Sequence, residues 1–193
     1  MLDPLQAKAY AEADFSAPHQ MIADQFAECF PGLQLTRQVL DLGCGPADLL
    51  IRFARNWPEA TFHGIDGSAA MLAEASRLVK REQLQGRIHL FERQLTGLQQ
   101  TDAGYQAIIS NSLLHHLHQP ALLWQTIKEL VSTGPDSRVA VYITDLYRPA
   151  SVQQAKLMVE KYSGAEPQLL RKDFYNSLLA AFTPAEIEQQ LHD

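Results

Sequence analysis

The chain has 193 residues, of which 46% are apolar and 20% charged, a balance that supports a packed core and excludes a disordered or fibrous chain. Sixteen Lys and Arg against 22 Asp and Glu leave a net charge of −6, the wrong sign for a domain that must neutralise a row of nucleic-acid phosphates. No apolar run approaches the ~20 residues that a membrane-spanning helix needs. Cys29 and Cys44 stand in no CxxC or Cys/His cluster, so neither a disulfide framework nor a structural zinc site is expected.

These features predict one cytoplasmic domain over residues 1–193, with no membrane or nucleic acid as partner: a helical cap at 1–36, a core at 37–145 and C-terminal helices at 146–193. In the cap, Ser16 is placed to start a helix that runs to residue 30, with Pro18 in its first turn and Pro31-Gly32 ending it. Cys29 falls on that amphipathic helix and is expected in the core. Short β-branched and apolar runs then predict strands at 38–42, 60–65, 87–92, 105–110 and 138–144. Between the first two, Leu49, Leu50, Phe53, Ala54 and Trp57 recur at helical spacing, as do Met71, Leu72, Ala75, Leu78 and Val79 between the next two. A further crossover helix is predicted at 121–131, closed by the turn Gly134-Pro135-Asp136. From Leu146 onward the chain reads as helical, and Thr183-Pro184-Ala185-Glu186 is a capping box for the last helix. Strands alternating with helices predict an α/β fold, a doubly wound, mostly parallel sheet with helices on both faces.

The segment Val39-Leu40-Asp41-Leu42-Gly43-Cys44-Gly45-Pro46-Ala47-Asp48 is an apolar strand that enters a glycine turn and opens a helix. Gly43 and Gly45 let the backbone bend and approach a ligand without a Cβ in the way. The dinucleotide fingerprint GxGxxG would put a third glycine where this chain has Asp48. Carboxylates on both sides of the turn, Asp41 and Asp48, oppose a pyrophosphate but suit a ligand that carries an ammonium and a sulfonium group. Twenty-one positions after Gly45 comes Asp66, at the end of the second strand, where an acid can accept hydrogen bonds from both ribose hydroxyls.

From Gln38 to Thr144 the sequence resembles the class I S-adenosylmethionine-dependent methyltransferases. VLDLGCG is similar to that family's first motif and GIDGSAAML to its second, while the run from Ile108 to Leu117 resembles the segment beneath the methionine part of the cofactor. The resemblance implies a seven-stranded Rossmann-like sheet and a cofactor site built from Asp41, Gly43, Cys44, Gly45, Asp66, Gly67, Met71, Gln94, Leu95 and Asn111. It also implies S-adenosylmethionine as methyl donor, S-adenosylhomocysteine as product and a small-molecule methyl acceptor. Two departures stand out. Gln94 takes the place of an acid near the adenine, which it can replace as an acceptor without charge. The C-terminal antiparallel hairpin of the family sheet is missing from the pattern, as in a shortened chain. Strand 138–144 would then be an open edge, apolar on both faces, which predicts pairing with a second copy of the chain or poor solubility.

Candidate catalytic residues are His116 and, beside it, His115: a histidine just past the fourth strand lies near the methyl group and titrates near neutrality. His115 and His118 at i and i+3 would share a helix face, but no carboxylate or thiol at ligand spacing accompanies them, so no metal is expected. Asp145 and Arg148 belong to the same rim, as a substrate contact or a solvated pair. Tyr10 and Phe15 serve as an aromatic lid or as anchors of the N-terminal helices. Cys44 reads as a small buried side chain of the loop rather than a nucleophile. The Asn/Asp-Pro-Pro-aromatic signature of amino-methyltransferases is absent where Ser110-Asn111-Ser112-Leu113 stands, and so is the Pro-Cys pair of cytosine C5 enzymes. The alternatives are a non-catalytic relative that binds the cofactor and a nicotinamide-dependent oxidoreductase.

Overall fold

The computed structural model describes residues 3–98, 104–133 and 138–192. Strands β1 (Gln38–Leu42), β2 (Thr61–Asp66), β3 (Ile88–Glu92), β4 (Tyr105–Asn111) and β5 (Ala140–Thr144) form one sheet in the order β3-β2-β1-β4-β5, with every pair parallel. The chain winds outward from β1 to β3, then returns across β1 to begin β4. The order therefore reverses between β1 and β4, and the carboxyl ends of those two strands border the crevice where doubly wound sheets take their ligands.

Helices cover both faces. On one lie α2 (Ser16–Cys29), α3 (Asp48–Asn56) and α4 (Ala69–Arg81), whose apolar stripes bury Phe26, Phe53, Leu72 and Ala75 against Val39, Phe62 and Ile109. On the other, α5 (Ala121–Thr133) packs Leu123, Ile127 and Leu130 against Leu40, Leu42, Ile65 and Ile108. β1 is buried from both sides, which is why its run is apolar rather than alternating. Each large side chain buried in this way contributes roughly 1.5–3 kcal/mol. Among the described residues, α1 (Pro4–Glu12), α6 (Val152–Ser163), α7 (Gln168–Ala180) and α8 (Pro184–His192) complete the helices. α1 packs on α4 and α7, so the N- and C-terminal segments meet above the core.

The β1–β4 pairing slips by one residue after Gln38, and Gln106 sits at the irregularity. Its carboxamide accepts the Thr36 and Arg37 N–H groups at 2.9 and 3.1 Å and donates to the Gln34 carbonyl at 2.8 Å. The side chain thus takes the place of a ladder partner for the segment that enters β1.

Most predicted elements stand where expected, with edges displaced by a residue or two. Ser16 is not a cap: it is the first residue of α2, and its own N–H donates to Asp14 Oδ1 at 2.9 Å. Cys29 is exposed rather than in the core, because the chain turns at Phe30, whose ring packs on Phe26 at 4.9 Å and fills the inner position. The capping box is present: the Thr183 N–H donates to Glu186 Oε2 at 2.8 Å and the Glu186 N–H to Thr183 Oγ1 at 3.4 Å. The region after Leu146 is helical except for one parallel bridge between Tyr147 and Phe182. The turn at 134–136 lies outside the described residues. No antiparallel pair occurs among the described strands, and β5 is an edge with Val141 36% exposed. No helix among the described residues is long and apolar enough to cross a membrane.

Candidate active site at the carboxyl ends of the strands

β1 delivers Asp41 into the sheet interior and then turns at Gly43 (φ +77°) and Gly45 (φ +52°), both in the left-handed region that glycine tolerates. The Gly43 and Cys44 N–H groups donate to the Ile65 carbonyl at 2.8 and 3.0 Å, which seats the loop on the end of β2. The two glycines serve different needs. A Cβ on Gly43 would come within 2.8 Å of the Leu113 side chain, whereas one on Gly45 would find no atom within 4 Å. The first makes room for the loop after β4, and the second leaves backbone open to a ligand.

Asp66 closes the loop. Its Oδ2 accepts the Gly45 N–H at 2.9 Å and its Oδ1 the Ser68 N–H at 2.8 Å. Ser68 in turn caps α4 by accepting the Met71 N–H at 3.2 Å, so a single short segment fixes the acid, the cap and the first turn of the helix. The Gln94 carboxamide lies over Gly67, with Nε2 2.8 Å from where a Cβ would be. Gln94, Gly67 and Asp66 are therefore neighbours at the carboxyl end of β2. Met71 and Leu95 are buried, Leu95 in the cluster that holds Leu42 and Ile65.

Asp41 is 2% exposed, and its Oδ1 is buried with no hydrogen-bond partner among the described residues. Burial, then the nearby Asp66, pushes its pKa up to about 8. A buried acceptor with no donor is costly, and a cationic or N–H donor ligand beside β1 would relieve it. Burial and the same two acids push the Cys44 thiol up as well, so the loop cysteine is a buried side chain, not a nucleophile. Asp48, the second acid flanking the turn, is engaged by the protein itself. His19 Nδ1 lies 2.7 Å from its Oδ2 and Arg52 Nε donates to it at 3.0 Å. Although burial opposes it, these partners hold its pKa below the usual carboxylate value. Asp48 thus clamps α2 to the first turn of α3, and of the two acids flanking the turn it is Asp41 that keeps an unpartnered oxygen.

At the end of β4, Asn111 Oδ1 accepts the Thr144 hydroxyl at 2.9 Å and the Ser112 hydroxyl at 3.3 Å, tying β4 to β5. A 3-10 turn follows at Leu114–His116. It ends before His118, so His115 and His118 do not share a helix face as the spacing had implied. Within the turn, the His115 side chain is 2% exposed and its Nδ1 lies 2.5 Å from Asp145 Oδ1, at the end of β5. His115 Nε2 is buried with no partner among the described residues. His116 is exposed, its ring 4.1 Å from that of His115. Desolvation of its inner side, then His115, lowers its pKa to about 4. The Asp145–His115 pairing was not visible in the sequence, where the two stand 30 positions apart. Its only sequence signal was that both residues follow strands, and the structure shows those strands to be neighbours. Tyr10 packs on Phe15 at 4.7 Å and Phe15 on His19 at 5.5 Å, a ladder that leads from α1 to the Asp48 clamp.

Comparison with known proteins agrees with this geometry. Residues 39–134 match the family model of a methyltransferase domain. A trans-aconitate 2-methyltransferase of Pseudomonas paraeruginosa is 51% identical over 41 residues, 21% of this chain and 15% of that protein. Among solved structures, a SAM-dependent methyltransferase from Aquifex aeolicus superposes with a TM-score of 0.69 at 17% identity, over 100% of this chain and 88% of that one. The plantazolicin methyltransferase BpumL, solved in complex with SAH, superposes with a TM-score of 0.64 at 16% identity, over 96% of this chain and 63% of that one. The chain thus spans under two thirds of BpumL, and the aligned stretch a small part of the aconitate enzyme. Taken with the glycine turn, the acid at the end of β2 and the parallel sheet around them, these matches show that the chain belongs to the class I S-adenosylmethionine-dependent methyltransferase family.

Proposed function

We propose that the protein is a methyltransferase that moves a methyl group from S-adenosylmethionine to a small-molecule acceptor by in-line displacement, releasing S-adenosylhomocysteine. The observation that carries this reading is the junction of Gly45, Asp66 and the unpartnered Asp41 at the point where the strand order reverses. When bound, the cofactor supplies the electrophilic methyl group. The chain's own residues hold and orient it. Asp41 offers a buried acceptor to the ammonium end, Gly43, Cys44 and Gly45 form a turn whose N–H groups are held by Ile65 and Asp66 and which has free space at Gly45, and Asp66 has lone pairs left for the ribose. Gly67, Gln94, Met71 and Leu95 shape the adenine end, and Asn111 borders the methionine end.

Residues 37–145 carry the cofactor in this reading, while segments 1–36 and 146–193 cover the acceptor side of a single domain. Positioning and exclusion of water supply most of the rate, because the leaving sulfur becomes neutral as the bond breaks. His115 and His116 are the candidate acceptor-side groups. Two free thiols suit a reducing, cytoplasmic setting. Two copies pair along the exposed β5 edges. The test is calorimetry with S-adenosylhomocysteine, followed by incubation of the protein with methyl-labelled S-adenosylmethionine and a small-molecule extract. Binding and label transfer support the reading, binding without transfer leaves a non-catalytic relative, and no binding rejects it.

A further inference from the structure

We propose that His115 is the base that takes a proton from the acceptor, that Asp145 is its positioning residue, and that the acceptor group is an uncharged hydroxyl; this rests on the methyltransferase reading above. The dyad is assembled by topology. β4 and β5 run side by side, and the turn after one meets the residue after the other. Asp145 Oδ1 accepts from His115 Nδ1 at 2.5 Å and from the Leu146 N–H at 2.6 Å, while Oδ2 faces the His115 N–H at 3.4 Å. A carboxylate receives rather than gives, so Nδ1 carries a proton in this contact, and in the neutral ring the Nε2 lone pair is then free. That lone pair is buried and unmatched among the described residues, an arrangement that only a donor brought by a ligand or a water satisfies.

The surroundings select the donor. A carboxylic acid is already ionised at neutral pH and needs no base. It would also meet the Asp145 carboxylate. Arg148, the cation nearest the dyad in sequence, is engaged by Glu186. An ammonium would lose its hydration beside Leu113, Leu114 and Leu117. A neutral hydroxyl avoids both costs. Its proton passes to Nε2 while its oxygen lone pair forms the new carbon–oxygen bond, the methyl–sulfur bond breaks with its electrons kept on sulfur, and the Asp145 carboxylate supports the imidazolium so formed.

Two experiments on the full chain test this. Long-range proton–nitrogen NMR of the histidine-labelled protein at pH 7, without ligand, is expected to show Nδ1 protonated and Nε2 bare at His115. The Asp145→Asn variant is expected to shift that balance toward Nε2–H. A wild-type His115 that is protonated on Nε2 overturns the proposal. In the extract assay, His115→Gln is expected to cut the turnover number by about 100-fold or more, with S-adenosylhomocysteine affinity within about twofold of wild type, and the product is expected to be a methyl ether. A methyl ester or N-methyl product, an unaltered turnover number, or no labelled product from a protein that binds S-adenosylhomocysteine overturns it. Loss of S-adenosylhomocysteine binding by the wild-type protein is the separate failure of the underlying reading.

Discussion

The Gly45 N–H donates to Asp66 Oδ2 at 2.9 Å, so the acid at the end of β2 holds the glycine turn after β1 in place. Under the proposed function Asp66 has two tasks, holding the loop and accepting from the ribose. Asp66→Ala should weaken S-adenosylhomocysteine binding by about 1–3 kcal/mol, roughly 5- to 150-fold in Kd. Titration calorimetry checks it, and an unchanged Kd removes Asp66 from the site.

Asp41 sets a pH dependence. Its pKa is raised from 3.8 to about 8 in the folded chain, so between those values the folded state holds a proton that the unfolded state releases. This contribution to stability is complete below pH ~4 and is lost as the pH rises through ~8. Chemical denaturation of the ligand-free protein at pH 5 and pH 8 should show a slope across that window that Asp41→Asn flattens. A slope identical in the two proteins contradicts the assignment. The same variant should bind cofactor more weakly, since it presents no charge to the ammonium.

Phe26 joins the N-terminal cap to the core. Its ring centroid lies 5.1 Å from Phe53, 5.3 Å from Trp57 and 5.6 Å from Tyr142, and the side chain is fully buried. Phe26→Ala should cost about 3–5 kcal/mol of stability through lost burial and the cavity left behind. Equilibrium urea unfolding measures it. A cost below ~1 kcal/mol would mean that α2 rests on the core without being part of it.

The β5 edge predicts self-association. Val141 is exposed on a strand without proline, lysine or bulge to blunt it. Val141→Lys should shift the protein toward monomer in sedimentation velocity, with the fold kept by circular dichroism. A wild-type protein that is monomeric at all concentrations tested rejects the pairing.

The parts of this architecture legible in the sequence are those set by local rules. The apolar run of β1, the glycines after it and the acid after β2 declare themselves because burial on two faces and a tight turn each demand particular residues. What stayed hidden depends on contacts between distant segments. Asp48 read as a charge facing the ligand until α2 brought His19 within 2.7 Å of it. Ser16 read as a cap because a local rule favours it, and Asp14 supplied the acceptor instead. In the sequence His116 is the first candidate of the pair and His115 only its neighbour. The 3-10 turn separates them, putting His115 against Asp145 and leaving His116 exposed.

The most direct measurement is calorimetry of the full chain with S-adenosylhomocysteine and, separately, NAD. The account predicts a saturable 1:1 association with S-adenosylhomocysteine that Asp66→Ala weakens, and no heat with NAD. Binding of NAD with none of S-adenosylhomocysteine would contradict it.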